Sequence, residues 1–246
     1  TTAAAISGIL GILLFASPKM GGVLDNTAKV LGTVMLVLIG YVAFSTNPPV
    51  AEAATHAIVP TNYPWLATIT LIGGTVGGYI TFSGGHRLID AGITGREHLK
   101  DVRRAAFMGM SVDAIVRILL FLAVLGVVSM GFALDPKDPA GSAFLLGAGE
   151  IGHKLFGIVF FCAALTSVVG AAYTSVSFLK TLFKVVERYE KLTIMAFIFV
   201  STCILIFIGK PATLLIVAGS VNGLILPVTL AVMLLATRKT NIVGDY

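Results

Sequence analysis

Charge is what this sequence lacks. Only 12% of its 246 residues are Asp, Glu, Lys or Arg. That is roughly half the ~25% typical of soluble domains, so a water-exposed globular surface is excluded. Cysteine is nearly absent: Cys162 and Cys203 lie far apart, each inside an apolar stretch. They form no CxxC, disulfide framework or zinc-spaced cluster, and packing is their expected role. There is no HExxH, GxSxG or phosphate-binding glycine loop, which argues against an enzyme. The net charge of +5 is spread over short connections rather than along one stripe, so no nucleic-acid partner is implied. No initiator Met, basic leader or cleavage site accompanies the opening Thr1-Thr2-Ala3-Ala4-Ala5, so a portion of a longer protein is expected.

What is abundant is apolar: 57% of residues, with a mean hydropathy of +0.97. Windows of about 19 residues give seven candidate spans, at 3–15, 28–45, 64–82, 106–134, 153–183, 192–208 and 212–236. The expected fold class is therefore all-α, a polytopic helical membrane protein with one transmembrane domain over 1–246. Pro48-Pro49, Asp135-Pro136-Lys137-Asp138-Pro139 and Gly209-Lys210-Pro211 mark true breaks. The first span is short, as a span cut at its start would be.

The basic residues orient the bundle. One set of connections carries Lys19, Lys29, Arg87, Arg96, Lys100, Arg103, Arg104, Lys180, Lys184, Arg188, Lys191, Arg238 and Lys239; the alternate set carries only Lys137 and Lys210. By the positive-inside rule the first set is cytoplasmic, and so is the C-terminal end of the chain. The connection 46–63, with Glu52 and His56 but no Lys or Arg, then lies outside. Its alanine-rich piece 51–57 suits a short interfacial helix whose Glu52 and His56 share a solvated face.

The third span holds Gly73-Gly74-Thr75-Val76-Gly77-Gly78. Glycine is about 1 kcal/mol worse than alanine in a helix, so a break at 73–78 is expected. Bare backbone at bilayer depth is tolerated where it is buried or lines a watery cavity, and ion sites are built this way. The overlapping pairs Gly73/Gly77 and Gly74/Gly78 fit close helix packing equally well. Both readings stay open.

Other polar groups in or beside spans are few. Asp113 and Arg117 are four apart near the cytoplasmic end of their span, either a functional pair or a snorkelling structural one. Glu150 and Lys154 share that spacing at an outer edge and read as a solvated pair. His86, Arg87 and Asp90, with Arg96-Glu97-His98 beyond, read as an interfacial helix end with basic anchors, or as a proton relay near a site mouth. The hydroxyl-rich run 166–175 fits tight packing or a pathway lining. Asn222, before Leu226-Pro227, could offer a carbonyl oxygen to a hard cation or bridge two helices.

The order of these landmarks resembles the NRAMP superfamily of divalent-metal transporters, in particular its NRAMP-related magnesium-transporter branch. Ile58-Val59-Pro60 resembles the family's lead into its sixth span. Ile72-Gly73-Gly74-Thr75-Val76-Gly77-Gly78-Tyr79 stands where typical members read Gly-Ala-Thr-Val-Met-Pro-His. Leu226-Pro227 and Ile242-Val243-Gly244-Asp245-Tyr246 stand at the tenth-span motif and the Met-Gly motif after it. The resemblance implies a LeuT-type inverted-repeat fold in which this chain supplies the fourth to tenth helices. Residues 1–47 would end the first repeat and 60–246 would form the second.

It also implies a secondary transporter in the bacterial inner membrane, working by alternating access on a divalent metal ion. The family's alanine carbonyl and methionine thioether fall at Gly74 and Gly77. A thioether selects soft transition metals, whereas oxygen donors in a roomy site suit Mg²⁺, which keeps part of its hydration shell. The expected metal site is Gly74, Thr75, Gly77 and Asn222, with Tyr79, His86, Asp113 and Arg117 on the pathway or its gates. The expected cargo is Mg²⁺ or Mn²⁺, and no cofactor is implied. Family histidines tied to proton coupling fall at Tyr79 and Gly84, neither of which carries a proton near neutral pH, so uncoupled uptake is expected. The alternatives are a proton-coupled Mn²⁺/Fe²⁺ transporter, or an amino-acid or organic-cation carrier on the same fold.

Overall fold

The computed structural model describes residues 2–16, 18–77, 88–89, 91–136, 138–209 and 211–243. Among them the regular structure is helical throughout: α1 (Thr2–Ala16), α2 (Pro18–Ser45), α3 (Val50–Ile58), α4 (Trp65–Val76), a 3₁₀ turn (Arg96–His98), α5 (Leu99–Ser129), α6 (Pro139–Leu182), α7 (Lys184–Arg188), α8 (Glu190–Ile208), α9 (Pro211–Thr237) and α10 (Thr240–Val243). Arg96–Ser129, Pro139–Leu182, Glu190–Ile208 and Ala212–Thr237 are each long and apolar enough to cross a bilayer. Lys29–Ser45 with Val50–Ile58 makes a fifth if that bent pair is one span. The chain is a polytopic helical membrane protein. Against the seven spans expected, α1 and α4 are short, at 15 and 12 residues.

The helix ends follow from local chemistry. Pro48 disfavours the helical region for Asn47, and Asn47 instead turns left-handed at φ 45°, a conformation Asn tolerates. The released end of α2 is held by Thr46, whose N–H (3.1 Å) and hydroxyl (2.8 Å) both donate to the Val42 carbonyl. The chain then swings by 102° into α3, a short helix where one was expected over 51–57. The proline-rich break before α6 supplies its N-cap: Asp138 Oδ1 accepts the Gly141 N–H at 2.9 Å, ahead of Pro139 at the first helical position. α6 therefore begins well before the expected residue 153. It is interrupted at Gly149 (φ 66°), where His153 Nδ1 lies 2.9 Å from the Gly141 carbonyl oxygen and ties the two pieces together. α8 stops at Gly209, left-handed at φ 62°, with its N–H donating to the Leu205 carbonyl, as a glycine C-cap does.

The chain divides into two compact units. One comprises Leu13–Thr61 and Thr94–Val169. Its core packs Leu38, Ile39, Val42 and Ala43 of α2 against Ala123 and Val127 of α5 and Phe144 and Phe156 of α6. The two phenyl rings stack with centroids 4.4 Å apart, and glycines set the helix spacing: a Cβ at Gly126 would overlap the Thr46 side chain, and one at Gly147 would meet Val42. The other unit comprises Thr1–Ile12, Asn62–Ile93 and Gly170–Tyr246. It buries Ile194 and Ile198 of α8, Leu226 and Thr229 of α9, and Ala172, Thr174, Ser175, Val176 and Ser177 of α6. The C-terminal end of the hydroxyl-rich run is thus packed in protein.

Candidate functional site

Among the described residues, the candidate ligands Gly74 and Thr75 lie on α4 and Gly77 caps its end, so that two roles separate in the glycine run. Gly73 through Val76 stay helical and the chain leaves helical geometry at Gly77, with φ 72° and ψ 142°, a region that disfavours any residue with a Cβ. Gly73 is a packing residue. It is buried, and a Cβ there would fall on the backbone of Gly219 and Gly223 in α9. Those two form a GxxxG pair of their own, which allows backbones to touch. The expected break at 73–78 is thereby narrowed: contact with α9 offsets the poor helix propensity of Gly73, and the discontinuity falls four residues later.

The crossing carries a polar bridge. Thr70 Oγ1 and Ser220 Oγ are 2.7 Å apart, and each also reaches the carbonyl one turn back, Leu66 O at 2.7 Å and Ile216 O at 2.8 Å. Two hydroxyl protons serve three close oxygen contacts, so the bridge can reverse its direction. Sequence reading passed over Thr70. Its spacing of three from Gly73, opposite the Gly219–Gly223 pair and Ser220, was the signal. In the same helix Pro227 has no N–H, so the Gly223 carbonyl loses its helical donor.

The depth of the α4 end follows from arithmetic. Twelve residues at 1.5 Å each rise about 18 Å, a little over half of a hydrocarbon core of about 30 Å. The helix begins at Trp65, whose ring stacks on Tyr63, an aromatic pair of the kind found at membrane interfaces. A helix of that length, entered from an interface at Trp65 and running along the membrane normal, would bring Gly74, Thr75 and Val76 to about the middle of a bilayer. Their carbonyls lie at the C-terminal end of α4, where the partial negative charge of a helix collects. One of the terminal carbonyls, Gly73 O, takes the Gly77 N–H at 3.0 Å. Gly74 has open space where a Cβ would stand, and the exposed Thr75 hydroxyl donates to Leu71 O at 2.6 Å.

Asn222 lies half-buried on α9, between Gly219 and Gly223. Its amide makes no hydrogen bond to any described residue. Tyr79 and His86 lie outside the described residues, as do Gly78, Gly84, Arg87 and Asp90. Among the described residues, no three His, Cys, Asp or Glu side chains come together to hold a metal.

Asp113 and Arg117 do meet: Arg117 Nε donates to Asp113 Oδ2 at 2.6 Å, with 54% of the Asp113 and 44% of the Arg117 side chain exposed. Because α5 runs unbroken over Leu99–Ser129, they sit in the middle of the helix rather than near its start. Arg117 is thirteen residues beyond Arg104 and twelve before Ser129, about 18 Å from either. A charge at a lipid-exposed helix centre costs roughly 2.5–3.5 kcal/mol on insertion scales, a cost that pairing with the opposite charge one turn away lowers. Glu52 and His56 also pair, at 3.7 Å, on the rim of a groove of about 470 Å³ between α3 and α5.

The sequence pattern of one family covers all of this. The family described as Nramp, natural resistance-associated macrophage protein-like, matches residues 1–246. The chain belongs to the Nramp family. Similar proteins include an uncharacterized membrane protein, YcsG, of Bacillus subtilis (strain 168), 49% identical over 245 residues that cover 100% of this chain and 61% of that protein. An uncharacterized membrane protein of Haemophilus influenzae (strain Rd) is 50% identical over 243 residues, 99% of this chain and 61% of that protein. The chain thus spans 61% of the length of these relatives. No solved structure matches it.

Proposed function

We propose that this Nramp-family chain is part of a secondary transporter that takes up divalent cations by alternating access, with Mg²⁺ as cargo and Mn²⁺ as a second substrate. One observation carries the reading: an apolar helix of twelve residues ends at Gly77, with its negative end and its backbone oxygens rather than a sulfur at the break. A hard, partly hydrated cation is what such an end attracts. Gly74 and Thr75 supply oxygens from α4, the backbone at Gly77 opens the space, and Asn222 and the Gly223 carbonyl are the oxygens offered by α9. The same geometry disfavours an amino-acid carrier on this helix, because a carboxylate binds at the opposite, N-terminal end. Residues 1–47 and 60–246 are read as parts of the two inverted repeats, in the inner membrane, with the C-terminal end in the cytoplasm. An inside-negative potential drives entry with about 4.6 kcal/mol per 100 mV for a double charge, without a coupled proton.

Flux into proteoliposomes by the full-length protein tests this. Mg²⁺ uptake that follows the imposed potential, persists when the pH gradient is collapsed and is not inhibited by amino acids is the expected result. Robust proton-coupled Mn²⁺ flux with no Mg²⁺ flux would overturn the magnesium assignment. Inhibition by amino acids but not by metals would overturn metal transport altogether.

A further inference from the structure

The turn between α6 and α8 is basic and apolar at once. Phe183 takes up extended backbone (φ −131°, ψ 110°) and ends α6; α7 follows, and Tyr189 (φ −117°, ψ 34°) separates it from α8. The level of this turn in a bilayer follows from α8. Its 19 residues rise about 28 Å, against a hydrocarbon core of about 30 Å. The charges of α8, Glu190 and Lys191, both lie in its first turn, and 192–208 carries none. A helix with so little length to spare crosses only with that first turn, and α7 before it, at the lipid headgroups.

Charge in the turn is unbalanced. Residues 180–191 hold Lys180, Lys184, Arg188 and Lys191 against Glu187 and Glu190. Lys180 and Glu190 neutralise each other: Nζ donates to Oε1 at 3.4 Å, with 22% and 32% of the side chains exposed. That bond ties the end of α6 to the start of α8 and leaves Lys184, Arg188 and Lys191 with Glu187 as the one remaining acid. All three are exposed, and among the described residues none of them forms an ion pair. Lys184 and Arg188 are four apart on α7 and share its face. The Arg188 guanidinium lies 5.7 Å from the centre of the Tyr189 ring, a cation–π distance. Leu182, Phe183, Val185, Tyr189 and Leu192 are exposed between and beside these bases in the sequence. Bases interleaved with apolar side chains match the surface of a bilayer, where phosphate lies above and acyl chain below.

We infer that this turn binds an anionic phospholipid, with Lys184, Arg188 and Lys191 on its headgroup phosphate and the exposed apolar side chains against its acyl chains. The Lys180–Glu190 pair holds the turn in shape without adding charge. The inference needs only that the chain crosses a bilayer, and it stands or falls apart from metal transport.

Fluorescence quenching by brominated lipid tests it in the full-length protein reconstituted into bilayers. Native tryptophans, Trp65 among them, are replaced by phenylalanine, and a single reporter is introduced by Leu192→Trp or, should that variant fail to fold, by Val185→Trp. Phe207→Trp, exposed at the other end of α8, is the control. Brominated phosphatidylglycerol should bind at the turn at least about threefold more strongly than brominated phosphatidylcholine at low salt, and about equally at the control position. The preference should fall toward one in about 0.5 M sodium chloride and on combining Lys184→Gln, Arg188→Gln and Lys191→Gln. It should survive Lys184→Arg with Lys191→Arg, which keep the charge. No quenching at the turn by either lipid, equal binding of the two, or a preference that the triple variant retains would overturn the inference. A preference of the same size at Phe207→Trp would overturn it as well, by making the effect general to the protein. Inorganic phosphate should displace the lipid no better than chloride at equal ionic strength; specific displacement would overturn a lipid in favour of a free anion.

Discussion

Replacing Gly73 by alanine puts one methyl group where α4 and α9 touch backbone to backbone. That methyl would overlap Gly219 O and Gly223 N and stand 2.8 Å from Gly223 Cα, against an ordinary carbon–carbon approach of about 3.5–4.0 Å. Main-chain atoms cannot rotate away, so the helices must part by about 1 Å. Overpacking of this kind costs about 1–3 kcal/mol. The same parting stretches the 2.7 Å Thr70–Ser220 bridge beyond hydrogen-bonding distance, which removes about 0.6 kcal/mol more in a membrane setting. The sum is about 2–4 kcal/mol, and each 1.4 kcal/mol is tenfold in the folded-to-unfolded ratio. Gly74→Ala is the matched control: nothing stands within 4 Å of its Cβ position, and alanine gains up to about 1 kcal/mol of helix propensity. Unfolding in mixed micelles, followed by the fluorescence of Trp65, the single tryptophan of these residues and the first residue of α4, measures both. If Gly73→Ala unfolds no more easily than Gly74→Ala, the close crossing is wrong, and with it the explanation of why α4 stays helical through its first glycines.

The same assay checks three more consequences. A double-mutant cycle on Thr70→Val and Ser220→Ala should return a coupling of about 0.6 and at most about 1.7 kcal/mol; zero coupling would remove the bridge. Asp138→Ala should destabilise by about 1 kcal/mol through loss of the α6 cap, and Asp138→Asn by much less. Phe156→Ala removes a ring stacked on both Phe144 and Phe160 and should cost about 3–5 kcal/mol, measured as a lowered unfolding midpoint.

Much of the architecture was legible because a bilayer leaves few choices. Scarce charge and long apolar runs require helices whose backbone bonds close within each segment. The prolines at 48–49 and 136–139 marked real stops for the same reason that they lack N–H groups. The short helix α3 was visible in its alanine-rich composition. What was not legible was division of labour within a motif. Gly73 and Gly77 look alike on paper, yet one is consumed by a helix crossing and the other ends the helix. Thr70 drew no notice because a threonine in an apolar run is ordinary until Ser220, 150 residues later, is brought against it. The place of Asp113 and Arg117 in the middle of their helix likewise depended on α5 continuing unbroken from Leu99, which hydropathy windows do not define.

Composition, proline placement and the asymmetry of Lys and Arg by themselves determined a multi-span helical membrane protein, because hydrocarbon penalises every unpaired backbone group and every misplaced charge. Only the tertiary structure decided which glycine packs and which one ends the helix, which hydroxyls meet across α4 and α9, and that α3 and α5 enclose a groove. Those are properties of surfaces brought together from distant parts of the chain, and no local pattern carries the distance between them.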